Sequence, residues 1–148
     1  MMSGRSSSAS RARLEVIVAV LFDEAPHRLK GRTYVQKITF LLQKEADTDG
    51  FDFEAHDYGP WSRELNTTLD YLVEYDYVTE SEEEQDDGLI RYYYDDGPCI
   101  EEVFGHGDHG DLRDAARTVF EEYPTKDLGE LIERVYAEYP EMARNSVY

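Results

Sequence analysis

GRTYVQKITFLLQKE (31–45) and HDYGPWSRELNTTLDYL (56–72), joined by a short acidic and aromatic link, decide how this chain folds. In the first piece Val35, Ile38, Leu41 and Leu42 recur at helical spacing. Thr33 is the expected cap, because its hydroxyl can accept an orphan N–H. Gln36, Lys37, Gln43 and Lys44 are assigned to the opposite, solvent-facing side. Asp47–Gly50 ends that helix, and Phe51 and Phe53 then alternate with Asp52 and Glu54 as a short extended piece. Gly59-Pro60 predicts the next helix start, since proline at the first helical position is pre-set for it and lacks a donor that would be orphaned anyway. Trp61, Leu65, Leu69 and Leu72 form the buried stripe of that helix, with Arg63, Asn66, Thr67 and Asp70 facing outward.

Upstream, Leu14–Asp23 is an apolar segment ended by Pro26. Arg5, Arg11 and Arg13 ahead of Val16–Phe22 mimic a signal peptide. However, Glu15 interrupts the join, an AspGluAlaPro sequence follows in place of a small-residue cleavage site, and the run is too short to span a bilayer. It reads as a buried helix behind a flexible Ser-rich tail, Met1–Ser10. Downstream, Tyr77–Glu80 and Leu89–Tyr94 are β-prone runs that pair as a hairpin with an acidic tip at Ser81–Gly88. Asp111–Glu122, capped by Asp111, and Lys126–Glu138, capped by Thr125, complete the set. Helix, helix, helix, hairpin is the order of a winged helix. The expected fold is therefore α+β and mostly helical: a winged-helix-like unit of three helices plus a β-hairpin, with two additional C-terminal helices. Residues 11–148 are read as one domain whose helical extension begins at about 108.

The chain has 148 residues, 33 Asp+Glu against 15 Lys+Arg, and a net charge of −18. Only Lys30, Lys37, Lys44 and Lys126 are lysines. Such an acidic, lysine-poor surface suits a halophilic cytoplasm, where it holds hydration in concentrated salt, and it points to a haloarchaeal source. The apolar content of 41%, with 12 Tyr and 6 Phe, is too high for a disordered chain. Cys99 is the single cysteine, which suits a reducing cytosol. Its acidic neighbours Asp95, Asp96, Glu101 and Glu102 argue against a reactive thiolate. Charge is unevenly spread: residues 1–44 hold eight basic and three acidic groups, while residues 45–148 hold seven basic and 30 acidic ones. Within the first part, Ala25–Lys44 contains no acid but carries Arg28, Lys30, Arg32, Lys37 and Lys44, a basic island on an acidic protein.

Three sets of residues carry a resemblance. They are Gly31-Arg32 with Val35-Gln36-Lys37-Ile38 and Phe40-Leu41-Leu42; Tyr58-Gly59-Pro60-Trp61-Ser62 with Leu65; and Leu131, Val135-Tyr136, Tyr139-Pro140-Glu141 and Asn145-Ser146 near the end. This pattern resembles the YwgA-like proteins and the broader Panacea (SocA-like) antitoxin domain over most of residues 28–146. The resemblance implies a compact, winged-helix-like helical module that binds a protein partner, often a toxin. It implies no catalytic residue and no cofactor.

The remaining motifs rank below that reading. His106-Gly107-Asp108-His109-Gly110-Asp111 places nitrogen and carboxylate groups close together, but a metal site wants further converging ligands, and a Gly-rich loop entering a helix accounts for the same letters. Tyr92-Tyr93-Tyr94 alternates along a strand, so at least one ring belongs to the core and an exposed one suits a partner interface. Neither a Gly-x-Ser-x-Gly elbow nor a Gly-rich phosphate loop is present.

The expected function is a non-enzymatic, cytoplasmic binding module, antitoxin-like or adaptor-like, with a protein partner, no membrane and no metal. Its working surface is expected at Arg28, Lys30, Arg32, Lys37, Lys44, Tyr58, Trp61, Arg63 and Asn66. The alternative is a winged-helix DNA-binding transcriptional regulator, acting as a homodimer. Against that alternative, residues 59–77 carry one basic group and four acids, whereas phosphate contact by Lys and Arg supplies most non-specific DNA affinity.

Overall fold

The structure, a computed structural model, describes residues 10–148; the expected tail over 1–9 lies outside the described residues. Ser10, expected to belong to that tail, instead caps the first helix by accepting the Arg13 amide on its side chain. The fold is α+β and mostly helical. The elements are α1 (Arg11–Glu24), β1 (Leu29–Lys30), α2 (Arg32–Ala46), β2 (Glu54–His56), β3 (Gly59–Trp61), α3 (Arg63–Glu74), β4 (Val78–Glu84), β5 (Ile90–Asp96), α4 (Glu101–Phe104), α5 (Gly110–Glu122) and α6 (Leu128–Glu138). A short 3₁₀ turn, Pro140–Ala143, follows. Two antiparallel sheets form, one ordered β1-β5-β4 and the other β2-β3. The acidic hairpin is longer than the sequence suggests, with Val78 opposite Asp96 and Glu84 opposite Ile90.

α1 and α2 are buried on all sides over their central turns, Val16–Phe22 and Tyr34–Leu42. A helix enclosed all round is a central helix. α2 packs against α1, α3, α5, α6, β1 and β3. This overturns the solvent face assigned to it. Gln36 and Lys37 are each only 1% exposed, because the β2–β3 hairpin covers the side they occupy.

Burial of Gln36 follows from its geometry. Its side-chain amide donates to the Ser62 carbonyl at 2.8 Å and accepts the Ser62 N–H at 2.7 Å. One amide thus bonds both backbone polar groups of one buried residue, which removes the cost of burying either partner alone. Gln43, two turns later on the same helix, does the same for Phe51: its Nε2 lies 3.0 Å from the Phe51 carbonyl and its Oε1 2.8 Å from the Phe51 N–H. Phe51 and Ser62 flank the β2–β3 hairpin, so the two glutamines fasten the whole link to α2.

Several expected helix starts move for local reasons. Gly59-Pro60-Trp61 is a strand, not a first helical turn. Gly59 takes φ +100°, a left-handed value that favours glycine, and pairs opposite His56 across the Asp57-Tyr58 turn. The helix begins afterwards, with Ser62 as its N-cap: the Ser62 hydroxyl accepts the Leu65 amide at 3.1 Å. Gly31, not Thr33, precedes α2, again at positive φ. Asp127, not Thr125, caps α6 through the Glu130 amide. His109, not Asp111, occupies the cap position of α5. The end of α2 falls where expected, with Asp47 left-handed at its C-cap.

Replacing Gln36 with Ala strands the buried Ser62 N–H, while the Ser62 carbonyl keeps the Asn66 amide at 3.3 Å. It should destabilise the fold by about 2–3 kcal/mol, and the half-buried Gln43→Ala by about 1–2 kcal/mol. Urea unfolding of the two variants checks both the size and the order.

Candidate functional site

The nine residues expected to form a working surface do not share one. Arg32 is structural. Its Nε donates to the Tyr94 hydroxyl at 3.0 Å, Nη1 to the Asn66 side-chain oxygen at 2.9 Å, and Nη2 meets Asp70 at 2.7 Å and Glu80 at 3.4 Å. The Tyr94 hydroxyl in turn donates to Glu80 at 2.6 Å. Burial alone would weaken the hold of Arg32 on its proton, but the bonds to Tyr94 and Asp70 outweigh it and hold the guanidinium above its usual pKa. This one side chain joins the start of α2 to α3 and to the β4–β5 hairpin. It also withdraws Asn66 from the outward face expected for it.

Arg28 is exposed but paired with Glu83, and its guanidinium lies 3.8 Å from the centre of the Tyr93 ring. Lys44 sits more than three turns along α2 from Arg32, about 18 Å away by helical rise. It lies over the Phe40 and Tyr139 rings at 5.4 and 5.6 Å. Arg63 is exposed at the start of α3, Tyr58 is 47% exposed at the β2–β3 turn, and Trp61 is half-buried beside it.

Lys37 departs furthest from expectation. Its ammonium is enclosed, donates to the Pro60 carbonyl at 3.0 Å, and has no carboxylate within 4.0 Å among the described residues. The Trp61 ring centre lies 5.9 Å away. Desolvation without a counter-charge pulls the pKa of Lys37 from 10.5 to about 8.

The exposed cations gather elsewhere. Lys30, Arg91 and Lys126, with the edge of Arg32, line a cavity of about 600 Å³ between the tip of β5 and the starts of α2 and α6. Tyr92 and Leu128 supply its apolar wall. Asp127 is the acid in this lining, and it is engaged in capping α6, while the half-exposed Arg91 meets Asp87 at 3.6 Å outside the lining. A shallower groove continues past Ile90 and Tyr94 on the same face of the sheet. Ile90 is 51% and Tyr92 43% exposed there, whereas Tyr94, two residues on, is core. The tyrosine run is visible in the sequence, but Arg91 and Lys126 lie within the acidic part of the chain. Their only sequence signal is that each is a lone cation on an acidic background.

The remaining candidates are accounted for locally. Nε2 of His109 lies 2.8 Å from the Phe104 carbonyl, and Asp108 accepts the Gly110 amide. Among the described residues no group of three or more His, Cys, Asp or Glu is placed to hold a metal ion. Burial, together with Glu102 and Asp76, pushes the Cys99 thiol above its usual pKa, the direction its acidic surroundings imply. No helix among the described residues is long and apolar enough to cross a membrane. Comparison of the chain with family models, with curated proteins and with solved structures finds no match.

The Lys37 geometry has a pH signature. Below pH of about 8 the lysine is protonated both folded and unfolded, and the cost of enclosing the charge is fully present. Between there and 10.5 the folded chain releases the proton first, so stability rises with pH. Relative to Lys37→Met, the wild-type chain should gain about 3 kcal/mol across that window. Urea unfolding of both chains at matched pH values measures the difference, and tyrosine titration cancels between them.

Proposed function

We propose that this chain is a non-enzymatic regulatory module that masks a protein partner. The partner would dock an acidic segment bearing an apolar side chain into the cavity between Lys30, Arg91 and Lys126. The observation that carries this reading is the cavity itself. It concentrates three cations, two exposed and one half-exposed, on a chain of net charge −18 and sets them beside Tyr92, Ile90 and Leu128. Charges of one sign steer an oppositely charged partner, while the exposed aromatic supplies contact area. The resemblance to the Panacea antitoxin domain supports the same assignment, antitoxin-like or adaptor-like, in a cytoplasmic setting.

The order α1-β1-α2-α3-β4-β5, with β1 joining the far side of β5, favours a winged-helix-like reading of the fold, with the β2–β3 hairpin inserted between α2 and α3. That reading keeps the DNA-binding regulator as the second assignment. Charge counts against it: α3, the helix that would enter the groove, holds Arg63 against Glu64, Asp70 and Glu74.

Affinity capture from native-host extract with the wild-type chain should recover one stoichiometric protein. The triple variant Lys30→Glu, Arg91→Glu, Lys126→Glu should lose it while remaining folded, since exposed substitutions of this kind each shift stability by about 0.5 kcal/mol or less. A sequence-dependent shift of duplex DNA, abolished by the same variant, would transfer the assignment to the regulator. Equal capture by both chains would sink the proposed surface.

A further inference from the structure

The basic cavity leaves unexplained why α2 encloses a lysine with no acid beside it. Lys37 lines a second, smaller cavity of about 160 Å³, together with Thr33, His56, Asp57, Tyr58 and Trp61. An ammonium has three donors, and one is used, on the Pro60 carbonyl. A group nearby has no partner at all. The Tyr136 hydroxyl, brought by α6, is buried with no hydrogen-bond partner. It lies 3.8 Å from the point that a Cβ on Gly59 would occupy, and the Lys37 side chain lies 3.5 Å from the same point. Buried polar groups without partners are rare in folded chains and call for an explanation. The partnerless Tyr136 hydroxyl and the Lys37 ammonium, which has one hydrogen bond and no counter-charge, approach one glycine beneath one turn.

We infer that the space under the Tyr58–Trp61 turn is a binding site for a carboxylate, held by the Lys37 ammonium. A carboxylate supplies the missing counter-charge and accepts the free N–H donors, turning an unpaired buried cation into a hydrogen-bonded pair. The size fits a small planar anion. The charge selects a monoanion: Lys37 is the single lysine or arginine of the lining, while Asp57 at its exposed mouth opposes a dianion such as phosphate. His56, also at the mouth, lies 3.6 Å from Glu54. The depressed pKa of Lys37 agrees with an unfilled counter-ion position. The carboxylate can belong to a small molecule or to the end of a polypeptide, and the two sources present the same group. This site adjoins the Lys30–Arg91–Lys126 cavity at Thr33, which lines both, but it is held by a different cation, and its assignment stands whether or not that surface binds a protein.

Trp61 is the only tryptophan of the chain and lines the cavity, so its fluorescence reports occupancy. Wild-type protein would be titrated at constant ionic strength with sodium acetate, inorganic phosphate, acetyl-Ala-Ala with a free carboxylate, and the same dipeptide as its amide. The expected result is a saturable response to acetate or to the free-carboxylate dipeptide, with none to phosphate or the amide. A tighter dipeptide response identifies a chain end as the source, and a tighter acetate response identifies a small molecule. Lys37→Met should bind at least ~10-fold more weakly. The wild-type chain alone gives a check that needs no variant: affinity should fall as pH rises through about 8. Absence of saturation, an equal response to phosphate, or pH-independent binding would overturn the assignment.

Discussion

Two glutamine side chains hold this fold together. Gln36 and Gln43, seven residues apart on α2, each use both ends of the amide to close on one backbone unit, Ser62 and Phe51 respectively. Between those two points runs the Phe51–Ser62 link with its β2–β3 hairpin. The hairpin has just three paired positions and could not persist alone in water. Fixing its flanks to a central helix supplies the order it lacks. Ser62 then links the clamp to the next element, because the residue held by Gln36 also caps α3 with its hydroxyl. The path of the chain through α2, the hairpin and α3 thus depends on a polar contact inside an otherwise apolar core.

A second polar hub works at the other end of the same region. Arg32 joins α2 to Asn66 and Asp70 of α3 and to Tyr94 and Glu80 of the β4–β5 hairpin. Arg113 and Arg117 play a comparable part between α5 and the end of α1, where both reach Glu24 and Arg113 also reaches Asp23. Cations are scarce in this chain, and many of them join elements. Lys30, Arg91 and Lys126, which join no two elements and are grouped, therefore stand out more than their number suggests. They lie far apart in sequence and meet only because β1, β5 and the turn before α6 converge.

The local signals in the sequence were largely followed. The apolar run Val16–Phe22 is a buried helix, the two β-prone runs pair as a hairpin, and the helices over 110–122 and 128–138 lie within a residue or two of their expected limits. Errors cluster where a polar residue had to be given a side. Gln36 and Lys37 were placed in solvent because polar side chains usually are, and Gly59-Pro60 was read as a helix start because proline suits that position. In each case the outcome turned on what covers α2, and periodicity within one segment carries no information about what lies across from it.

The sequence by itself determined the class of the fold, the order of its main elements and the strong charge asymmetry. These follow from apolar spacing, turn residues and composition, all of which act over a few residues. The tertiary structure alone decided which cations are available and which are enclosed. Arg32 is engaged by residues 34 to 62 positions away, Lys37 is sealed beneath a turn more than twenty residues downstream, and the exposed basic cavity joins residues 30, 91 and 126. Desolvation and ion pairing depend on distance in space, so the functional meaning of each charge was set only when the chain closed on itself.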